Sequence, residues 1–162
     1  MIWNSEGLGD TAKHITIHET IKEHNLDFVA IIETGRSNFT PHFLNFLAGG
    51  RDYIWYCLPP IGRSGGMLVG FNGSSFGVQN VLSGDFCAKF QVKNKSDGFL
   101  WSLVVVYGAA QESKKPDFLA ELVRICEHET RPMLVGVILT SSEGNKRKIM
   151  IISMLVGLLF LT

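Results

Sequence analysis

The first half of the chain alternates short apolar runs with amphipathic stretches. Residues 1–4 predict the end of a strand, which runs into a turn at Gly7 and Gly9. Residues 11–25 predict a helix of imperfect periodicity, and its apolar positions are Ile15, Ile17 and Ile21. The continuous apolar run Phe28–Ile32 is typical of a strand that is buried on both faces.

The remaining pattern predicts one helix, a series of short strands, and then a helix and a strand. The first helix follows Pro41 and ends at Gly49-Gly50; its inward positions are Phe43, Leu44, Phe46 and Leu47. Short strands separated by turn residues predict antiparallel hairpins, over residues 53–58, 66–71, 78–82, 87–92 and 100–107. Pro116 opens a helix to about His128; its inward face is Phe118, Leu119, Leu122, Val123 and Cys126. Residues 133–135 begin another buried strand.

This order of elements predicts an α/β fold. Strands that alternate with helices and then form hairpins favour a layered sandwich, with two sheets face to face and helices outside. No internal repeat is visible in the sequence.

Composition and charge narrow the class of protein. With 46% apolar and 19% charged residues, the chain has globular composition. Fifteen basic and fifteen acidic side chains cancel, so bulk charge gives no support to a nucleic-acid binder, although a local basic groove stays open.

The cysteines and the N-terminus indicate an intracellular protein. Cys57, Cys87 and Cys126 are too scattered for a disulfide framework or a zinc site. We therefore expect each to be a small buried residue in a reducing compartment. Residues 1–10 lack the pattern of a signal peptide.

Polar side chains stand where the first two strands end. Asn4 and Glu6 follow the first strand, and Glu33 follows the second. Polar groups at neighbouring strand ends converge where α/β proteins bind ligands, and amide and carboxylate oxygens suit Mg²⁺. The alternative is that Asn4 caps a turn and Glu33 is a solvated strand-end residue.

Four motifs in order resemble one family. They are Trp3-Asn4-x-x-Gly7-Leu8, Glu33-Thr34, Arg63-Ser64-Gly65-Gly66 and Val105-Val106-Tyr107-Gly108. Over about residues 2–136 the chain resembles the endonuclease/exonuclease/phosphatase superfamily, and most closely the endonuclease domain of plant-type non-LTR retrotransposons. The resemblance implies a four-layer α/β sandwich, nucleic acid as partner, and a location in the nucleus or cytoplasm.

The resemblance also implies roles for individual residues. Glu33 would be the main direct Mg²⁺ ligand, Asn4 would position the metal or the scissile phosphate, and Tyr107 would hydrogen-bond a phosphate oxygen. Glu6 occupies a position that is acidic in abasic-site nucleases but commonly Arg in the retrotransposon branch, and it would support the metal site. The implied reaction is hydrolysis of a phosphodiester by an activated water.

The pattern breaks after the strand that begins at Met133. The family has Gly-Asp-Phe-Asn there, with an Asp that activates water, whereas this chain continues Gly136-Val137-Ile138-Leu139. The later Ser-Asp-His motif is absent from the sequence, and Gly84-Asp85-Phe86 fits a hairpin turn better. We therefore expect a sandwich that is incomplete at the C-terminus and a chain that is truncated and inactive.

A frameshift would explain the break. Residues 136–143 can be written GGG GTG ATT TTA ACA TCA TCA GAA, and reading from the third base gives Gly-Asp-Phe-Asn-Ile-Ile-Arg. This hypothesis divides the chain into a partial domain over residues 1–136 and a non-family tail over residues 137–162. The nucleotide sequence at Gly136 tests it.

The tail and the histidines admit other interpretations. The apolar run 149–162 follows Lys146-Arg147-Lys148 and could be a membrane anchor, but spanning a bilayer takes about 20 residues. A non-catalytic interaction module, attached to a membrane by this tail, is the alternative function.

His14 and His18 have the spacing of a metal-binding pair, but without a third ligand at a suitable spacing we expect them and His24 to face solvent. His128 fits the C-terminal end of a helix dipole.

Overall fold

The computed structural model describes residues 1–60, 65–109, 111–127, 129–139 and 148–154. Two compact units divide the chain, one over Met1–Phe76 and one from Gly77 onward. In the part of the chain that is described, no helix combines the length and apolar character that a membrane crossing requires. Residues 155–162, the end of the apolar run for which an anchor is the alternative interpretation, lie outside the described residues.

The first unit contains a four-stranded sheet and two helices. Its elements in chain order are β1 (Ile2–Asn4), α1 (Thr11–Glu23), β2 (Phe28–Ile32), α2 (Pro41–Ala48), β3 (Tyr53–Leu58) and β4 (Met67–Asn72). The strand order is β1-β2-β4-β3, with β1 parallel to β2 and the other pairs antiparallel. α1 therefore connects two neighbouring parallel strands, which places both of their carboxyl ends at one edge of the sheet.

The second unit contains a five-stranded sheet and one long helix. Its elements are β5 (Phe76–Ser83), β6 (Cys87–Asn94), β7 (Leu100–Val106), a 3₁₀ turn (Glu112–Lys114), α3 (Lys115–Glu127), β8 (Met133–Leu139) and β9 (Lys148–Met154). The strand order is β5-β6-β7-β8-β9, and β7 and β8 form its parallel pair. Both sheets are mixed and both units carry helices, so the predicted α/β class is confirmed.

Each unit has its own apolar core. In the first unit the core residues are Leu8, Ile17, Ile21, Val29, Ile31, Leu47 and Leu68. In the second unit they are Cys87, Val104, Val106, Met133 and Val135, against which Phe118, Leu122, Ile125, Cys126 and Val137 pack.

Several predicted inward positions are wrong. Phe46, predicted to face inward, is 40% exposed, although its ring stacks on His18. Ile15, an apolar position of α1, is 44% exposed. In α3, Leu119 and Val123 are exposed, because the buried stripe runs through Phe118, Leu122 and Ile125 and is shared by the polar Glu121. A stripe that contains a buried carboxylate cannot be found by apolar periodicity alone.

Candidate metal site at the ends of two parallel strands

The ends of β1 and β2 bring three of the predicted site residues to one edge of the sheet. Asn4 is paired with Ile32, the last residue of β2. Backbone pairing then continues past both strands, since the Ser5 amide donates to the Ile32 carbonyl at 2.9 Å and the Gly7 amide donates to the Glu33 carbonyl at 2.7 Å. The loop that carries Glu6 is thus joined directly to the loop that carries Glu33.

Ser5 fastens these two loops with its side chain. Its hydroxyl lies 3.1 Å from the Ile32 carbonyl and 3.1 Å from the Glu33 carbonyl. Ser5 is 1% exposed, so its hydrogen bonds are shielded from water and hold the backbone of both loops.

Asn4 is buried and its side chain is already engaged. Its Oδ1 accepts a hydrogen bond from the Glu6 amide at 3.0 Å. This contact is the turn-capping interaction that the sequence offered as the alternative role of Asn4. It also fixes the backbone of Glu6 relative to β1.

Both carboxylate-bearing residues adopt left-handed backbone conformations. Glu6 has φ 46° and Glu33 has φ 56°, a region that side chains other than Asn, Asp and Gly rarely occupy. Residues held there cluster at functional sites, where the surrounding structure maintains them against the cost. Glu6 is exposed and Glu33 is half-buried.

The Glu33 carboxylate is available to a ligand. Among the described residues, no hydrogen bond or ion pair engages it, since the contacts of Glu33 are made by its backbone carbonyl. Within the same residues there is no cluster of three or more His, Cys, Asp or Glu side chains that could hold a metal ion.

The predicted glycine motif packs against the Glu33 loop. The Thr34 amide donates to the Gly66 carbonyl at 3.2 Å, and the Gly35 amide donates to the Gly65 carbonyl at 3.1 Å. A Cβ on Gly66 would stand 2.6 Å from the Thr34 hydroxyl. Gly66 is therefore required for close packing beside Glu33. Arg63 and Ser64 of the same motif lie outside the described residues.

Lys13, which the sequence analysis missed, reaches the same loop from α1. Its ammonium donates to the carbonyls of Ser5 at 2.6 Å, Gly7 at 3.0 Å and Glu6 at 3.3 Å. One lysine in the first turn of a predicted helix, three residues after the Asp10 N-cap, gives no signal in the sequence that it will turn back to the preceding loop.

Tyr107 belongs to the second unit and follows β7. Its hydroxyl donates to the Gly84 carbonyl at 3.0 Å. Burial, followed by the nearby charge of Glu121, raises the pKa of the Tyr107 phenol well above its ordinary value. Tyr107 is therefore neutral at physiological pH, and its one O–H group donates to the Gly84 carbonyl.

Val137, where the resemblance predicts an Asp, lies in register with the residue before Tyr107. Val106, the last residue of β7, is the partner of Val137 in the parallel strand β8. Because β8 continues to Leu139, the residues level with and beyond Tyr107 are apolar. Val137 itself packs against the core of the second unit.

The Gly84-Asp85-Phe86 segment joins β5 to β6, as the hairpin interpretation predicts. The largely buried Glu121 carboxylate binds it, accepting hydrogen bonds from the amides of Asp85 at 2.9 Å, Phe86 at 3.0 Å and Cys87 at 3.1 Å. Burial alone raises the pKa of Glu121, but these hydrogen bonds and that of the Cys87 thiol outweigh it and leave the pKa below its ordinary value. The segment is a structural turn held by a carboxylate.

The histidines of α1 make structural contacts and are not all solvent-facing as predicted. His14 Nε2 lies 3.0 Å from the Leu8 carbonyl, and His18 Nδ1 lies 2.6 Å from the Phe46 carbonyl. Both rings are half-buried, and His14 also meets Phe43 edge to face. Only His24 is exposed as expected. His128 lies outside the described residues.

The three cysteines are free thiols. The prediction that all of them are buried is wrong for Cys57, which is exposed in β3, whereas Cys87 is buried and Cys126 is half-buried. In β3 the flanking residues Tyr56 and Leu58 are half-buried, whereas Cys57 between them is exposed.

Comparison with known proteins identifies solved structures of similar fold. No protein-family model matches the chain, and no curated protein matches it. Solved structures do match. They include the human Nocturnin catalytic domain with bound sulfate, at 15% identity and TM-score 0.56, with 83% of this chain and 60% of that chain covered.

Two further structures extend this likeness. An endonuclease/exonuclease/phosphatase protein from Bacteroides vulgatus matches at 14% identity and TM-score 0.59, covering 88% of this chain and 65% of that one. TDP2 of D. rerio, solved with a single-strand DNA product, matches at 15% identity and TM-score 0.57, covering 88% and 61%. The chain is therefore similar in its α/β fold to these structures, one of which is an endonuclease/exonuclease/phosphatase protein. It spans 60–65% of their length.

Proposed function

We propose that this chain carries the metal-binding part of a Mg²⁺-dependent phosphodiesterase site of the endonuclease type, and that these 162 residues do not cleave nucleic acid by themselves. The observation that supports the first part is the convergence of Asn4, Glu6 and Glu33 at the carboxyl ends of β1 and β2. The same residues are the ones that the family resemblance implies. A retrotransposon origin is proposed on the sequence motifs.

The donor set fits Mg²⁺. Glu33 offers a half-buried carboxylate that no described residue engages, and Glu6 offers a second in the adjoining loop. Mg²⁺ is commonly held by one or two carboxylates with several waters. When bound, it would supply charge stabilisation at the phosphoryl oxygens. Asn4 fixes the Glu6 backbone, and Ser5 ties that loop to the Glu33 loop.

The second part of the proposal rests on what stands beside Tyr107. The resemblance predicts a carboxylate that orients the attacking water directly after Gly136, and the residues there are Val137, Ile138 and Leu139 of β8. An apolar side chain cannot accept a proton from water. Residues 137–139 therefore cannot supply a general base.

Metal titration tests the first part. We expect wild-type protein to bind Mn²⁺, used as a spectroscopic substitute for Mg²⁺, and Glu33→Gln to bind it at least tenfold more weakly because a carboxylate ligand is lost. Lys22→Met, on the exposed side of α1, serves as a matched control. Equal Mn²⁺ affinity in wild type and Glu33→Gln would reject the site.

Plasmid nicking with Mg²⁺ tests the second part. Wild type and Glu33→Ala should be equally inactive, and nicking should appear when Gly-Asp-Phe-Asn is restored at residues 136–139 together with the C-terminal half of a homologous domain. Nicking by wild type that Glu33→Ala abolishes would show that this chain is a complete nuclease. The coding sequence around Gly136 tests the frameshift separately.

A further inference from the structure

The loop between β1 and α1 is held from two sides. On one side its amides pair with the backbone of the neighbouring loop, through Ser5 to Ile32 and Gly7 to Glu33. On the other side the carbonyls of residues 5–7 all converge on the Lys13 ammonium, at 2.6, 3.3 and 3.0 Å. An ammonium has three N–H donors, so Lys13 uses its full hydrogen-bonding capacity on this loop.

The residue in the middle of this arrangement is Glu6. Its left-handed backbone is unfavourable for a glutamate, because a residue with a Cβ lacks the conformational freedom of glycine. Charge-assisted hydrogen bonds are stronger than neutral ones, and Lys13 makes one to Glu6 itself and one to each of its chain neighbours. Lys13 therefore opposes the relaxation of Glu6 to an ordinary conformation.

We propose that Lys13 is a positioning residue of the metal site, in that its ammonium binds the carbonyls of Ser5, Glu6 and Gly7 and so holds this loop against the Glu33 loop. The inference rests on the proposed function, because it assigns a role at the same site. Lys13 touches neither metal nor substrate.

Terbium luminescence provides the test, since Trp3 precedes Asn4 in β1 and its indole can transfer energy to a Tb³⁺ ion at the site. We expect Lys13→Met to bind Tb³⁺ about tenfold more weakly than wild type, as is typical when a residue that supports metal ligands is lost. Lys13→Arg keeps the charge and several donors, and it should restore most of the affinity. Lys22→Met should match wild type.

The outcomes separate this inference from the proposed function. If wild type binds Tb³⁺ and Glu33→Gln binds it weakly, but Lys13→Met binds it as wild type does, the role of Lys13 is wrong and the site stands. If wild type fails to bind Tb³⁺, the site and the role of Lys13 both fail. Hydrogen exchange without metal checks the mechanism: the Gly7 and Leu8 amides should exchange faster in Lys13→Met, and unchanged exchange would overturn the proposed clamp.

Discussion

Thr34 and Gly66 lie so close together that Gly66 has no room for a side chain on the side facing Thr34. The Thr34 amide donates to the Gly66 carbonyl at 3.2 Å, and the Thr34 hydroxyl lies 2.6 Å from where a Gly66 Cβ would stand. Gly66 also has φ +82°, which disfavours any L side chain. This contact sets the position of the loop directly after Glu33.

Gly66→Ala should therefore lower the free energy of unfolding by about 3 kcal/mol, because it adds backbone strain to a steric clash. Urea denaturation measures this effect. Gly77→Ala is the control, since a Cβ at Gly77 meets no atom within 4 Å. Equal stability of the two variants would contradict the close contact.

Gly70→Ala should destabilise the first unit through Trp55. A Cβ on Gly70 would stand 2.5 Å from the Trp55 ring, and Trp55 packs against the core, so the ring cannot move away freely. We expect a loss of about 2 kcal/mol, typical of overpacking. In a double-mutant cycle with Trp55→Leu the loss should be largely relieved, whereas additive effects would exclude this clash as the cause.

Glu121→Gln should loosen the β5–β6 turn. An amide in place of the carboxylate directs an NH₂ group toward backbone N–H donors, so at least one hydrogen bond is lost, at a cost of about 2 kcal/mol near neutral pH. Because the folded-state pKa of Glu121 is lowered, its stabilisation is present above the unfolded-state pKa and is lost as pH falls through the folded-state value. The stability difference between wild type and Glu121→Gln should thus shrink below about pH 4.5. Glu112→Gln, at a site 85% exposed in its side chain, should show no such dependence.

Much of this architecture could be predicted from the sequence. Phe28–Ile32 is a buried strand because it lies between two neighbours in its sheet, and a continuous apolar run is typical of that position. The same pattern placed Asn4 and Glu33 at neighbouring strand ends, since a helix between two strands predicts a parallel pair.

The error in α3 arises because a polar side chain is buried on its inward stripe. Glu121 lies on the inward stripe of α3, three residues after Phe118 and one before Leu122, so the apolar positions alone pointed to Leu119 and Val123 instead. The left-handed backbone of Glu33 and the contacts of Lys13 could not be predicted, because they depend on loops that are brought together only by the fold.

Lys89→Met should lower the free energy of unfolding, because it leaves a buried carboxylate without its cation. Lys89 and Glu129 form an ion pair at 3.2 Å with side chains 7% and 4% exposed, and the Ser102 hydroxyl lies 2.6 Å from the same carboxylate. Removal of the ammonium leaves a buried carboxylate without its partner and should cost about 3 kcal/mol at pH 7. The loss should be smaller at pH 4, where the unpaired Glu129 can take up a proton.

Lys114→Met is the matched control for that experiment. Lys114 pairs with Asp117 at 3.5 Å, but both side chains are more than half exposed. Such pairs contribute between roughly 0 and 1 kcal/mol. A loss in Lys114→Met as large as that in Lys89→Met would show that burial is not the reason.

Thiol labelling should distinguish the cysteines. Cys57 is exposed, although partial burial of its sulfur raises its pKa, so it should react first and faster as pH rises toward 9. Burial, together with a hydrogen bond to Glu121, raises the pKa of Cys87 far above its ordinary value, so Cys87 should react only on unfolding. Cys57→Ser should remove the fast phase of labelling with a disulfide reagent. Persistence of that phase would assign it to another cysteine.

The Glu121 carboxylate fixes the alignment in which α3 packs within the second unit. Apolar side chains alone would let a helix slide along a sheet by one turn and still remain covered. A shift of one turn would carry Glu121 away from the amides of Asp85, Phe86 and Cys87 and bury a charge without donors. Misregistered packings of this helix are thus penalised electrostatically, and the second unit is left with a single alignment during folding.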